Sequence, residues 1–475
     1  MFVILDRNSG IPVRKQLYDA ITMKILKGEL VEGEKLPSTR ELAEKLGIAR
    51  NTVVEIYEQL ISEGYLETDH GRGTFVAGGN EGALESGLLS VQYPGGKGRH
   101  AGTGNRIDFM TGVPDLEAFP RKAWMRAIKE SLHEAEDDLL GYGPALGYLP
   151  LRGVLSQYLM KNKGIHCSPE QVIIVNGTSD ALSLIALMFQ KPSGELMVES
   201  AVVSFVPDIF RTFGYSIRPL ETDWQGLCTD NLPEAADGLI FCSPSHQFPL
   251  GGTLSVERRL QLVHYARERR HYIIEDDYDS EFRYAGAPVN SIYQLAPENT
   301  IHLGTFSKTL APFLRLGYMV VPKKMSDGFR ELQSNMYRRV GMHAQIALHL
   351  LFERNIYSRH VMMMRKRYKR KMRCITSALY NEFGDSIRIF GTNSGLHVAV
   401  AFPEPLFNAG STGIFLKYGV SAELLTDYMI EKQAACDTLI LGFGNLREDV
   451  IPEGAKRLKT AVCEISARQM CGDEL

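Results

Sequence analysis

Lys308 closes the run Thr305-Phe306-Ser307-Lys308, directly behind an apolar stretch with strand character. An amine at a strand end can form a Schiff base with an aldehyde, whereas a lysine met alone is more often a surface residue. Seven positions on, Arg315 offers a planar fork suited to a phosphate dianion, and the Ser307 hydroxyl can add a bond to the same group. In Ile273-Ile274-Glu275-Asp276-Asp277-Tyr278, three acids end an apolar run. A carboxylate against a pyridine nitrogen keeps that nitrogen protonated. Asp276 is the acid assigned to it, with Tyr278 donating to a ring hydroxyl. Asn176-Gly177-Thr178-Ser179-Asp180 has the form of a strand–glycine–helix turn, where free N–H groups and the Thr178 and Ser179 hydroxyls can receive an anion. Tyr142, in a glycine- and proline-rich segment, is placed to reach a phosphate, within the chain or across a dimer. One ligand accounts for all four segments, a phosphorylated pyridine aldehyde.

A second set lies near the N-terminus. Arg40, Arg50, Asn51, Thr52 and Arg72 are donors suited to bases and phosphates, and Tyr57 is assigned a phosphate. The elements that carry them read as helix, short turn, helix and hairpin. Pro12 opens a first helix whose Val13, Leu17, Ile21 and Ile25 share one face. Ser38-Thr39-Arg40-Glu41 is a capping box for a second helix, which stops at Gly47. A third helix is predicted from Arg50 to Glu63, with Val53, Val54, Tyr57, Leu60 and Ile61 available for packing. The turn Asp69-His70-Gly71-Arg72-Gly73 then joins two short strands. That order is a winged helix-turn-helix, whose third helix enters the major groove by its first turn. Residues 1–77 hold ten Lys/Arg against twelve Asp/Glu, so the unit is not basic overall; its arginines concentrate where groove contacts fall.

The pyridine-site residues need a different scaffold. Runs 171–176, 195–200, 239–243, 271–277, 300–306 and 316–322 are short and mostly apolar throughout, and helical stretches separate them. Such strands form a buried, mainly parallel sheet covered on both faces. From Asp327 on, long helices mix with alternating strands such as 394–402, a smaller α+β domain. The expected organisation is a DNA-binding domain at 1–77, a glycine-rich linker at 78–105, a large α/β domain at 106–326 and a small domain at 327–475.

Composition agrees with this reading. The chain has 475 residues, 44% of them hydrophobic and 23% charged, enough for several cores. Its seven scattered cysteines lack a C-x-x-C pair, and its twelve histidines lack metal-ligand spacing, so reduced thiols, a cytoplasmic location and no metal are expected. No signal peptide and no membrane span are expected. The basic run Met362–Lys371 reads as a solvated helix face, or alternatively as a secondary contact to bent DNA.

Residues 36–76 resemble the GntR family of DNA-binding domains over about forty positions. The family usually has serine where Ala49 stands, a helix cap worth about 0.5–2 kcal/mol. Residues 105–470 resemble the class I aminotransferase fold (fold type I). The segments 243–252, 273–282 and 305–318 are similar to those of the MocR, or GabR-like, branch of GntR regulators, in which the two parts are fused. The resemblance implies pyridoxal 5'-phosphate as cofactor, with Lys308 carrying it, Asp276 at its nitrogen, Tyr278 at its ring oxygen and Arg315 at its phosphate. It also implies a head-to-tail homodimer on double-stranded DNA.

Three positions depart from the aminotransferase pattern. Phe248 replaces the asparagine that faces the ring oxygen, with His246 or Gln247 as substitutes. Val203 replaces the tyrosine that stacks on the ring, with Phe205 nearby. Asn445 replaces the arginine that grips an α-carboxylate, with Arg447 two residues off. A neutral amide cannot make that bidentate charged pair. The expectation is therefore a transcription regulator that senses pyridoxal phosphate and an unidentified, amino-acid-related effector. A working aminotransferase with an appended DNA domain is the alternative, and a regulator whose cofactor site no longer fills is a third.

Overall fold

Two compact units divide the chain, Met1–Gly102 and Thr103–Leu475. The computed structural model describes residues 12–471 except 27, 70–71, 79–105, 134–136, 192–193, 236, 287–289 and 337–338. Of the linker expected at 78–105, only Gly78 lies among the described residues; so do only Asp69, Arg72 and Gly73 of the hairpin turn.

The first unit holds helices α1 (Val13–Leu26), α2 (Thr39–Leu46) and α3 (Arg50–Ser62). An antiparallel pair follows, β1 (Leu66–Asp69) and β2 (Gly73–Val76). The capping box is formed: Glu41 N–H donates to Ser38 Oγ over 3.3 Å, and Ser38 N–H to Glu41 Oε2 over 2.9 Å. Gly47 ends α2 in the left-handed conformation, at φ 60°, where a Cβ would be strained. Leu17, Ile21 and Ile25 of α1 meet Val53, Ile56, Tyr57 and Leu60 of α3 in one core, closed by Leu66 and Val76.

In the second unit a seven-stranded sheet runs in the order Val172–Val175, Gly317–Val320, Thr300–Thr305, Tyr272–Asp277, Leu239–Cys242, Glu195–Glu199 and Ser216–Leu220. Six of these strands are mutually aligned; Gly317–Val320 alone runs antiparallel to both neighbours. Val172–Val175, Leu239–Cys242 and Gly317–Val320 are buried at every position, because apolar clusters cover both faces of the sheet. Ser216–Leu220, at the edge, alternates exposed and half-buried residues and carries Pro219. Its polar pattern hid it from a search for apolar runs.

A second, four-stranded antiparallel sheet is built from Arg388–Phe390, His397–Ala401, Thr438–Gly442 and Glu423–Leu424. The division expected at 326/327 falls inside a shared layer. Phe329 packs with the large sheet's core, as do Ala347 and Leu351, while Ile107 and Phe109 pack with the smaller sheet. Ile107 pairs in parallel with Val420, so the start of this unit is sewn into its C-terminal part. The 28-residue helix Ile356–Phe383 links the two cores, with Tyr357 and Val361 in one and Met364, Tyr368, Ile375 and Leu379 in the other. Among the described residues, no helix is long and apolar enough to cross a membrane.

Candidate functional site

Parallel strands bring their carboxyl ends to one edge of the sheet, where α/β proteins hold ligands. Tyr272–Asp277 delivers Asp276 there, and Thr300–Thr305 delivers Ser307 and Lys308. The antiparallel strand solves the remaining placement. Gly317 pairs with Thr305 on one side and Val175 on the other, so Arg315, two residues ahead of it, reaches the same edge. Arg315 adopts φ 48° and donates through Nη2 to the Asn176 carbonyl at 2.7 Å and to Ser179 Oγ at 3.3 Å. Gly177 adopts φ 89°, a backbone conformation that L side chains rarely take, which explains a residue with no side chain at this turn. Thr178 opens the helix Thr178–Met188 behind Gly177. Ser307 Oγ accepts from Thr305 Oγ1 at 3.1 Å. Free helix N–H groups, the hydroxyls of Thr178 and Ser179, and Arg315 thus share one rim, suited to an anion.

Consecutive strand residues face opposite sides, and the three acids divide accordingly. Asp277 is ion-paired to Lys163 at 2.7 Å and accepts from Ser280 at 2.9 Å. Burial opposes its charge, but Lys163 and then His302 outweigh it and hold the carboxyl below its usual range. Glu275 accepts from the backbone of Ile292 and Tyr293 and from His302 Nδ1 at 3.1 Å. Asp276, between them, is different. Its Oδ1 is buried with no hydrogen-bond partner among the described residues; so is Asp277 Oδ1, but there Oδ2 is held by Lys163 and Ser280. Burial, then Asp277 and Asp279, push its carboxyl up to about 7, and Lys308 pulls the other way. A buried carboxyl left unpaired is costly unless a ligand completes it.

Lys308 Nζ donates to the Gly112 carbonyl at 2.6 Å, and burial lowers its pKa. Gly112, at φ 83°, would bring a Cβ within 3.4 Å of that nitrogen. Tyr278 Oη lies 3.0 Å from His246 Nδ1. Of the two residues considered in place of the missing asparagine, His246 faces Tyr278. Gln247 is spent on its own turn, donating to the Ala201 and Phe248 carbonyls and accepting from Leu250 N–H. Phe248 packs edge-on against Tyr428, centroids 4.9 Å apart. Val203 is half-buried against the large sheet's core, and Phe205 begins an exposed-faced helix, Phe205–Thr212. Arg447 does not replace the missing arginine, because it is exposed and paired to Asp449 at 2.9 Å. Tyr142 is exposed and lines a recess with Pro144, Ile174, Arg339 and Gln345.

The basic run 362–371 is more than a solvated face. Lys371 is buried on Asp115 at 2.7 Å and the Gly444 carbonyl at 2.8 Å; Arg367 pairs with Asp115, and Arg365 donates to the Glu281 carbonyl. Sequence reasoning missed Asp279, Glu199 and Lys163. Asp279 was signalled by its place in the acidic run, whereas Lys163 lies 114 residues from Asp277 and nothing local announces it.

In the first unit, Arg50 and Asn51 are exposed on the first turn of α3, and Thr52 is half-buried beside them. Ala49 stands at the cap with no side-chain bond to the helix. Arg40 is exposed on α2. Arg72, on the hairpin, pairs with Asp69 at 3.1 Å. Tyr57 corrects the reading: it is 3% exposed, and its hydroxyl donates inward to the Pro37 carbonyl at 2.9 Å. A ring needed to fill the core between α2 and α3 cannot also reach a phosphate.

Comparison with known proteins follows the same division. Residues 13–76 match the family of bacterial regulatory proteins, gntR family, and residues 105–435 match aminotransferase class I and II. The chain is 33% identical to the HTH-type transcriptional regulator YdeL of Bacillus subtilis, covering 96% of this chain and 98% of that one. It is 31% identical to the probable rhizopine catabolism regulatory protein MocR of Rhizobium meliloti, over 97% and 95%. The kynurenine aminotransferase of Pyrococcus horikoshii, solved with PMP, superposes with a TM-score of 0.70 at 25% identity, covering 76% of this chain and 92% of that one.

Proposed function

Because the chain belongs to the MocR-like branch of the GntR transcription regulators, with a DNA-binding domain joined to an aminotransferase class I and II domain, we propose that it regulates transcription in response to pyridoxal 5'-phosphate. The observation that carries this reading is Asp276, a buried carboxyl whose Oδ1 has no partner among the described residues, at the sheet edge that also carries Lys308 and the anion rim. The residues fit the cofactor: Asp276 for the pyridine nitrogen, Tyr278 for the ring oxygen, Lys308 for the aldehyde, and Arg315, Ser307, Thr178 and Ser179 for the phosphate. His246 stands behind Tyr278. Bound there, the cofactor supplies an amine-reactive aldehyde on an electron-withdrawing ring.

The same residues argue against efficient turnover of ordinary amino acids. Asn445 cannot grip a carboxylate as arginine does, and Arg447 is engaged by Asp449. Val203 and Phe248 remove the stacking ring and the amide that tune catalysis in aminotransferases. The large domain is a sensor on this reading, its second ligand the cofactor alone or an amino-acid-related molecule held without that arginine. Arg40, Arg50, Asn51, Thr52 and Arg72 contact double-stranded DNA in the cytoplasm, and two chains pair head to tail, with Tyr142 reaching the partner's phosphate rim.

Visible absorbance and keto-acid release separate the readings. The account expects a cofactor band in the wild type that Lys308→Ala abolishes, and no sustained turnover with a broad panel of amino donors. Sustained turnover would make the large domain an aminotransferase, and an absent band would mean the site no longer fills.

A further inference from the structure

His246 is 1% exposed, and its Nδ1 lies 3.0 Å from Oδ2 and 3.1 Å from Oδ1 of Asp279, itself 1% exposed. The same nitrogen is 3.0 Å from Tyr278 Oη. Three heavy atoms compete for one ring nitrogen, and their chemistry decides the outcome. A carboxylate only accepts, so Nδ1 must carry the proton that bridges to Asp279. A protonated Nδ1 cannot accept from Tyr278. The phenol therefore keeps its proton for another acceptor, on the crevice side.

Gly395 leaves the ring its room, since a Cβ there would stand 2.0 Å from His246 Cε1. Nε2 is buried without a partner among the described residues, so nothing on that side draws the proton away from Nδ1. The titratable groups that face the ring are Asp279, Tyr278 and His397, the last with its ring centroid 4.8 Å away. His397 Nε2 is spent on the Pro249 carbonyl at 3.0 Å, and burial, then His246, hold its pKa well below the ordinary value.

We propose that His246, oriented by Asp279, is the positioning residue that makes Tyr278 a one-way donor to the ring oxygen of the cofactor. It does so from a segment in which Phe248 has displaced the asparagine of aminotransferases. This rests on the cofactor reading above.

The test is a pH titration of the visible band of the full-length protein loaded with pyridoxal phosphate. A donor to the ring oxygen stabilises its negative charge, so losing the donor makes the chromophore hold its proton to higher pH. Tyr278→Phe is expected to raise the apparent pKa by about one unit. His246→Ala and Asp279→Asn should raise it comparably, and His246→Ala should add little in the Tyr278→Phe background. His246→Asn, whose amide N–H can stand where Nδ1–H does, should restore most of the wild-type value. Near-UV circular dichroism checks that each variant is folded; should His246→Ala not fold, the Asp279→Asn and His246→Asn titrations decide. The proposal is overturned if Tyr278→Phe shifts the band while Asp279→Asn and His246→Ala leave it in place, or if the shifts add in the double variant. A folded His246→Asn that shifts as far as His246→Ala would also overturn it. No band in the wild type would instead sink the cofactor reading, and this proposal with it.

Discussion

Asp276 and Asp277 are adjacent in one strand and have opposite electrostatic fates, because a strand turns successive side chains to opposite faces. Asp277 meets Lys163 and stays charged; Asp276 is pushed up to about 7 by burial and its acidic neighbours, against the pull of Lys308. Asp276 was assigned from its place among three acids ending an apolar run, without the alternation that sets it apart, and Lys163 was not legible, since its pairing depends on tertiary structure alone. Glu199 extends the pattern. It is 1% exposed, and burial outweighs the Ser243 N–H bond to push its carboxyl up to about 8. A carboxyl raised in the folded state contributes most while protonated; that contribution is complete below its unfolded value and is lost as pH climbs to 8. Unliganded protein should therefore lose roughly 2–3 kcal/mol between pH 6 and pH 8 from this residue, at 1.36 kcal/mol per unit. Glu199→Gln should flatten that slope in urea denaturation at the two pH values. An unchanged slope would mean that Glu199 is not held protonated.

At the scale of elements, the decisive piece is the antiparallel strand Gly317–Val320, which returns Arg315 to the edge where Lys308 lies. Its apolar run was readable, its direction was not, because hydrophobic pattern carries no sense of direction. The edge strand Ser216–Leu220 was missed for the opposite reason, a polar pattern on a half-solvated strand. In α3 the spacing of Tyr57 fitted both a core face and a groove face, and the Pro37 carbonyl settles it inward. The helix still begins at Ala49 without a side-chain cap. Ala49→Ser should stabilise the first unit by about 0.5–1 kcal/mol, read as a higher denaturation midpoint. No gain would indicate that water already satisfies the N–H groups of that turn.

Across the whole molecule, two units with separate cores are joined through a glycine-rich stretch, and each could be recognised from its own motifs. The boundary within the second unit could not, since Ile107 and Val420 pair across more than three hundred residues of sequence. Separate cores predict separate unfolding. Calorimetry should resolve two transitions, and pyridoxal phosphate should raise only the one belonging to Thr103–Leu475 by mass action. A single transition moved as a whole would show the units to be energetically fused. Regulation requires that the ligand bias how the DNA-binding units engage DNA, a coupling between two sites. The most direct test is binding of the full-length protein to its own upstream DNA, with and without pyridoxal phosphate, for wild type and Lys308→Ala. The account predicts that the cofactor changes affinity, footprint or bending in the wild type, and that Lys308→Ala abolishes the response while still binding DNA. Specific binding indifferent to both the cofactor and the substitution would contradict it.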